Sequence, residues 1–513
     1  MSEHWNAIVI GAGIGGLTAA ARLAKENLRV LVVEKALHPG GTAYVYERKG
    51  YTFPMGPLGF SNPELVQEML RELGIREGLD LKRVHYGLRA FHRQIRLSLP
   101  FRQLAADLAS LYPSEREGIY RFFEDMMSIS GVIREPSITP RTGLAHRLEV
   151  SAASYLEDLI KDQRLRRILG SMGTRKPYSG LPLLAAMWEL LCEKGIHYPR
   201  EGMRYLADIL VKAIAAPSRK NHIQLGAEVA DIRVEDGRAC GIALTDGSVL
   251  TADAILSNAD FKNTFLRLLS PGVVPAGLRQ ALSTTPQTMS NLQVCLGLDS
   301  SRMDFTAFGE ASRIIYRNES VMPGEDEGPD WKALEIDPSD LAGSELEIDL
   351  LSQDDPSLAP PGKAVLVIRV AADHRHFARF RPQWGKRSHG YLEYKNHLAR
   401  TLIAEASNLS SGLGEAIEVM DVATPLTFEE RGGRSDGAVA GWSWDYGIEH
   451  GLKARELVLT PIAGLYMAGY QAYSMLALGG VPSAMHSGLQ AAEYLMQGAG
   501  PSKEIAVPGY HGP

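Results

Sequence analysis

Three rhythms of apolar residues run along the chain. The first opens it: an unbroken apolar run at 7–10, an alanine-rich stretch at 17–25, and a second apolar run at 29–33 that ends on Glu34. Short unbroken runs read as buried parallel strands and the stretch between them as a helix, so this beginning predicts one βαβ unit. Apolar positions at three- and four-residue spacing predict helices over 62–75, within 101–131, over 151–169 and over 181–194. Ser114 and Glu117, just after Pro113, have the spacing of a capping box and mark a helix start. Strict alternation predicts a strand within 88–99. From 202 the chain returns to a helix, 202–215, and then to short strands joined by tight turns, 223–234, 239–244 and 249–258. Strands follow at 291–298 and 364–370, and a strand, loop and helix occupy 464–495.

This order predicts an α/β chain. One Rossmann-like domain is discontinuous, built from 1–85, 195–270 and 420–497, and a second, α+β domain of mixed sheet and helices is built from 86–194 and 271–419. The Gly- and Pro-rich end, 498–513, is expected to be a loose tail.

The chemistry sits at two strand-to-helix junctions. In the first, Gly11, Gly13 and Gly16 supply the G-x-G-x-x-G spacing, with Ile14 and Gly15 at the helix start. Gly11 permits the sharp turn, Gly13 leaves room for a pyrophosphate, and Gly16 allows the helix to pack on the strand. The phosphates are expected at the helix N-terminus, and Glu34 is placed to meet a ribose hydroxyl. In the second junction a strand ends at Gly469-Tyr470, and Gly479, Gly480 and Val481 open a helix carrying the small residues Ala484, Ser487, Gly488 and Ala491. Backbone N–H groups at that start are suited to stabilise negative charge, so Gly480 and Val481 are expected at the charged end of a bound ring.

Composition narrows the partners. A chain of 513 residues with a formal charge of −6 and no basic block is not suited to nucleic acid. Cys192, Cys240 and Cys295 lack paired spacing, which argues against a disulfide framework or a zinc site and for small core residues. No leader-like start and no apolar stretch of about 18 residues is found, so a cytoplasmic setting is expected. No second G-x-G-x-x-G unit is present, GLGEAI near Gly412 lacking the third glycine, and a separate NAD(P) domain is therefore not expected.

Beyond Glu34 and Lys35 come a second glycine pair, Gly40 and Gly41, followed by Thr42, and then the turn Gly56-Pro57. With the late GLYMAGYQAYSMLALGGVPSAMHSG stretch, this arrangement resembles the flavoproteins that include amine oxidases, phytoene desaturases, carotenoid isomerases and retinol saturases. The resemblance implies FAD as cofactor, with Gly41 and Thr42 near the diphosphate, Gly56 and Pro57 near the flavin and the Val229 backbone against the adenine. It departs from the group's pattern at Thr42, often Arg, at Pro54, often Asp, and at Tyr470, where amine oxidases commonly carry an acid. These departures move the match toward the carotenoid and retinoid branch.

The implied activity is desaturation, saturation or isomerisation of a polyisoprenoid or other extended apolar substrate, with quinone or dioxygen as second electron partner. Oxidation of a C–N bond, and prenyl-lipid binding without catalysis as in Rab GDP-dissociation inhibitors, are the alternatives. No nucleophile, metal cluster or isolated carboxylate pair stands out. Trp442, Trp444 and Tyr446 are candidates for an aromatic wall beside the flavin or for core, and His486 for a proton donor or a packing histidine. Arg175, Lys176 and Tyr178 read as a solvated loop or as the lining of a substrate entrance. The apolar run 181–191 reads as core or as a membrane-facing surface, and the basic and aromatic run 374–387 as a solvated face or a seat for anionic lipid headgroups.

Overall fold

The computed structural model describes residues 4–134, 150–173, 176–178, 180–215, 221–318, 329–443, 455–476 and 478–502. Arg175, Trp444, Tyr446 and the tail from 503 onward lie outside the described residues, as does most of the acidic loop before Asp330.

Two seven-stranded sheets organise the chain. The first has the order Val229–Glu235, Arg238–Leu244, Val249–Ser257, His4–Ile10, Val30–Glu34 and His222–Leu225, and Leu465–Met467 pairs with the far half of Val249–Ser257. His4–Ile10 runs parallel to both its neighbours, in register Ala7 to Val30 and Ala7 to Ala254. Its residues Ala7, Ile8 and Val9 are wholly buried, because helices cover both faces of a parallel sheet and leave no polar side for alternation to mark.

The second sheet has the order Ile417–Ala423, Ser290–Asp299, Lys363–Ala372, Leu346–Leu350, Arg313–Tyr316, Tyr86–Ala90 and Arg93–Arg96. It is antiparallel except where Arg313–Tyr316 runs parallel to Tyr86–Ala90. A helical lobe, drawn from Phe101–Leu111 to Leu181–Trp188, packs its own core around Phe122, Phe123 and Trp188, whose rings meet edge-on 5.1–5.9 Å apart.

Three local expectations are corrected. The helix over 151–169 is two helices, Ala152–Leu159 and Gln163–Ser171, because Ile160 turns extended and Asp162 caps a new start by accepting from the Arg164 and Leu165 N–H groups. Ser114 belongs to a 3-10 turn, Pro113–Glu115, that leads into Arg116–Arg134. The carboxylate of Glu115 accepts instead from the N–H groups of Lys161 and Asp162 in the break between those two helices. The helix over 181–194 changes to π geometry at Glu189–Lys194. Its Leu181, Leu184, Ala185, Ala186 and Trp188 are wholly buried, so this apolar run is core and not a membrane-facing surface. Cys192 and Cys295 are buried as expected, and Cys240 is half-buried.

Candidate functional site

Both glycine junctions arrive at the same place. Gly11 has φ +92°, a left-handed turn that only glycine adopts without strain, and its N–H donates to the Val33 carbonyl at 2.8 Å. The helix Ile14–Lys25 then starts at Gly13 with no side-chain cap, so its first N–H groups point outward with the positive end of the dipole. Gly40 N–H donates to the Ala12 carbonyl at 2.7 Å, and a Cβ on Gly41 would lie 3.1 Å from the Gly13 Cα. The second glycine pair therefore folds directly onto the first. Glu34, at the end of Val30–Glu34, accepts from the Ala12 N–H at 2.7 Å and the Ala36 N–H at 2.8 Å.

The late helix, Gly480–Met496, lies against this first helix with backbones nearly touching. A Cβ on Gly488 would sit 2.3 Å from the Gly15 carbonyl oxygen, and one on Gly15 would sit 2.9 Å from that of Ala484. Small residues at these positions are what permit the approach. The loop before the late helix is fixed by Ser61 and Asn62, whose Oγ and Nδ2 each donate to the Leu478 carbonyl at 3.0 Å. The late helix also starts without a side-chain cap.

Between the two sheets lies a cavity of about 670 Å³, and every expected cofactor-contacting position except Gly16 lines it. Those are Gly11, Gly13, Ile14, Gly15, Glu34, Lys35, Gly41, Thr42, Gly56, Pro57, Val229, Gly469, Tyr470, Gly480 and Val481. Gly16 acts one step back: a Cβ there would lie 2.2 Å from the Gly11 carbonyl oxygen, so it permits helix-on-strand packing. Gly480 is the reverse case, with nothing within 4 Å of a Cβ, and it opens on free space.

The residues present fit an FAD. Two uncapped helix starts face the cavity, glycines leave room for a diphosphate against the backbone, and Glu34 oxygens lie at one end.

For two side chains the structure decides between the alternatives in favour of packing. Trp442 is 1% exposed, donates its indole N–H to the Gln471 carbonyl at 2.9 Å and packs edge-on against Phe261, so it is core rather than a wall of the cavity. His486 sits outside the cavity against the Tyr473 ring, 4.5 Å away, and burial lowers its pKa; it is a packing histidine. The basic and aromatic segment is likewise no simple solvated face. His374 and Arg381 both engage the Glu429 carboxylate, His376 and Phe377 are buried, and Arg387 pairs with Glu430 at 2.7 Å. Burial opposes ionisation of Glu429, yet hydrogen bonds from His374 and Arg381 hold its pKa below the usual value. The half-exposed Trp384 reaches the cavity rim between the guanidiniums of Arg381 and Arg267, 4.7 and 5.5 Å from its ring centroid.

Several cavity residues carried no signal in the motifs. Asn258 follows the strand Val249–Ser257, and its side chain fills the space that a Cβ on Gly13, Gly15 or Gly469 would need. A small polar residue ending a central strand at the level of the glycine turn could have flagged it. Asn291, Gln293 and Arg369 reach in from the second sheet, and Arg434 from the segment after the helix Pro425–Gly432. These depend on pairings hundreds of residues apart and leave no local pattern.

The family model for flavin-containing amine oxidoreductases matches residues 14–380. Among curated proteins, a chloroplastic prolycopene isomerase from Daucus carota is 27% identical over 91% of this chain and 76% of its own. A lycopene-forming phytoene desaturase from Pseudescherichia vulneris is 26% identical over 72% of this chain and 76% of its own. An oxidoreductase from Methanosarcina mazei has the same fold, with a TM-score of 0.62 at 17% identity, covering 96% of this chain and 100% of that one.

Proposed function

The chain belongs to the flavin-containing amine oxidoreductase family and is an FAD-dependent oxidoreductase, and we propose that its substrate is an extended polyene of the carotenoid class. The observation that carries the reading is the convergence of both uncapped helix starts on one cavity that the second sheet closes from the other side. We assign FAD to the part built from 1–85, 195–270 and 420–497. The substrate is assigned to the part built from 86–194 and 271–419.

In this arrangement Glu34 and the Val229 backbone hold the adenosine, Gly13, Gly41 and Thr42 receive the diphosphate, and Gly56, Pro57, Gly480 and Val481 surround the ring. When bound, the flavin supplies the capacity to take up and return an electron pair. The chain's own work is orientation and exclusion of water, which suits a hydrocarbon that offers no group for acid-base attack. The N–H groups at the Gly480 helix start stabilise negative charge at the ring end of the site.

The fuller overlap with isomerases than with desaturases supports double-bond isomerisation, which leaves no net change in electrons, as the first activity to assay. Desaturation comes second, with quinone or dioxygen taking the electron pair. A cytoplasmic protein resting on a membrane surface is the setting this substrate asks for, with Trp384 and the basic side chains around it as the contact. Purified protein with FAD, tested anaerobically under oxidising and reducing conditions on poly-cis and saturated carotenoid precursors, decides by chromatography. Turnover of neither, with hydrogen peroxide released from a small amine in a separate assay in air, where dioxygen takes the electron pair, would replace this reading with amine oxidation. Flotation with anionic vesicles tests the surface contact.

A further inference from the structure

We propose that Arg434 is the cation that receives the diphosphate of FAD, a positioning residue held at Gly41-Thr42 with no ion-paired carboxylate among the described residues. This rests on the FAD reading above and names a residue that neither glycine motif contains.

The backbone under Arg434 is clamped from both sides. Gly433, φ +68°, ends the helix Pro425–Gly432, and the next turn is held by Asp260, whose two oxygens accept from the Ser435 Oγ at 2.6 Å and N–H at 3.1 Å. Gly437, φ +63°, has no space for a side chain, since a Cβ there would lie 2.4 Å from the Pro425 carbonyl oxygen. The guanidinium donates through Nη1 to the carbonyls of Ala438, at 3.3 Å, and Val439. Its Nη2 lies 3.5 Å from the Thr42 Oγ1, at the cavity wall.

Among the described residues, other partly buried arginines near this site have counter-charges. Arg369 pairs with Glu347 and Asp349, Arg381 with Glu429, and Arg387 with Glu430. Arg434 has no carboxylate of the described residues within ion-pair reach, and the Asp260 oxygens nearest its chain are taken by Ser435 and by the Asn263 N–H. Burial lowers its pKa, with Asp260 and Tyr470 pulling the other way. A half-buried cation facing a cavity without a counter-charge is unfavourable until an anion arrives.

The place identifies the anion. Thr42 directly follows the glycine pair that bridges to Gly13, at the N-terminus of the first helix, where backbone N–H groups already favour phosphate. A guanidinium there adds the planar, charged donors that phosphate oxygens accept best.

The test compares wild type, Arg434→Gln and Arg434→Lys after flavin removal, by FAD titration, by competition with ADP, and by the midpoint potential of the reloaded protein. Arg434→Gln is expected to weaken both FAD and ADP about tenfold or more, with Arg434→Lys between and the potential unchanged. Adding Thr42→Arg to Arg434→Ala should recover part of the affinity. Unchanged FAD and ADP binding in Arg434→Gln overturns the proposal, as does a shifted potential with unchanged binding, which places the guanidinium at the ring. Wild type that takes up no FAD sinks the cofactor reading itself, a result distinct from either. Should Arg434→Gln fail to fold, Arg434→Lys, which keeps the charge and loses the planar fork, decides by the same titrations.

Discussion

The two sheets handle charge in opposite ways. The first offers an anion its backbone, through uncapped helix starts and glycines that let a ligand approach, and keeps few ionised side chains at the junction. The second buries ionised side chains among themselves. Arg313, wholly buried, lies 2.9 Å from Asp354 and 3.6 Å from Asp349, and Arg369 bridges Asp349 and Glu347 at 3.1 and 2.6 Å. The pairs follow the strand register, Arg313 opposite Asp349 and Glu347 opposite Arg369. A backbone site waits for its counter-charge, whereas the buried network already contains it and fixes how the strands pair.

The largest effect is therefore expected in the second sheet, from removing one member of its network. Arg313→Met removes the cation that the buried carboxylates of Asp349 and Asp354 share, leaving Asp349 to Arg369 and Asp354 to Lys82, and should cost stability at the low end of about 3–5 kcal/mol, read as a lower melting temperature with flavin content per folded chain unchanged. A melting temperature like that of wild type would mean the network is not holding the sheet. Next comes Gly15→Ala in the first region. The added Cβ would lie 2.6 Å from the Asn258 Oδ1, 2.8 Å from the Gly469 N and 2.9 Å from the Ala484 oxygen, two of them backbone atoms that cannot rotate away. Overpacking of this kind costs about 1–3 kcal/mol or more, and because it forces the two helices apart, the protein should purify without flavin colour. Retained colour would separate helix contact from cofactor binding.

Glu34→Gln is expected to be smaller and confined to binding. It removes the negative charge from a group that organises two backbone N–H donors at the ribose end, and FAD affinity should fall by the equivalent of about 1.5–3 kcal/mol, measured by titration. The last effect concerns pH. Burial, with the like charge of Glu347, lifts the Asp349 carboxyl to about 7 against the pull of Arg369 and Arg313. The folded chain then holds this proton more tightly than the unfolded chain, so the contribution is complete below about pH 4 and is lost as pH rises toward 7. Asp349→Asn should flatten that part of the stability profile in denaturant titrations from pH 4 to 8, and an unaltered slope would remove Asp349 as its source.

The same contrast explains what could be read from sequence. Gly11, Gly13, Gly16, Gly41, Glu34 and Gly480 were legible because a backbone-built site forces small residues into fixed local spacing. Ala484, Ser487 and Gly488 were legible as a packing stripe for the same reason. The network of the second sheet was not, since Arg313, Asp349 and Arg369 meet only through strand pairing, and each alone looks like a surface residue. Asn258 and Arg434 escaped similarly, reaching the glycines from segments far along the chain. Trp442 and His486 were open between packing and chemistry beside the late motif, and only the folded chain shows Trp442 turned into core and His486 onto Tyr473.

The account depends on one FAD lying between both helix starts, and Gly480 tests it without disturbing the fold. A Cβ there meets nothing within 4 Å, so Gly480→Leu is expected to melt as wild-type apoprotein does while its side chain extends into the ring end of the cavity. Titration of both apoproteins with FAD should give one site per chain for wild type and an affinity at least about tenfold weaker for the variant. Equal affinity in the two would contradict the account, because the late helix start would then not face the cofactor.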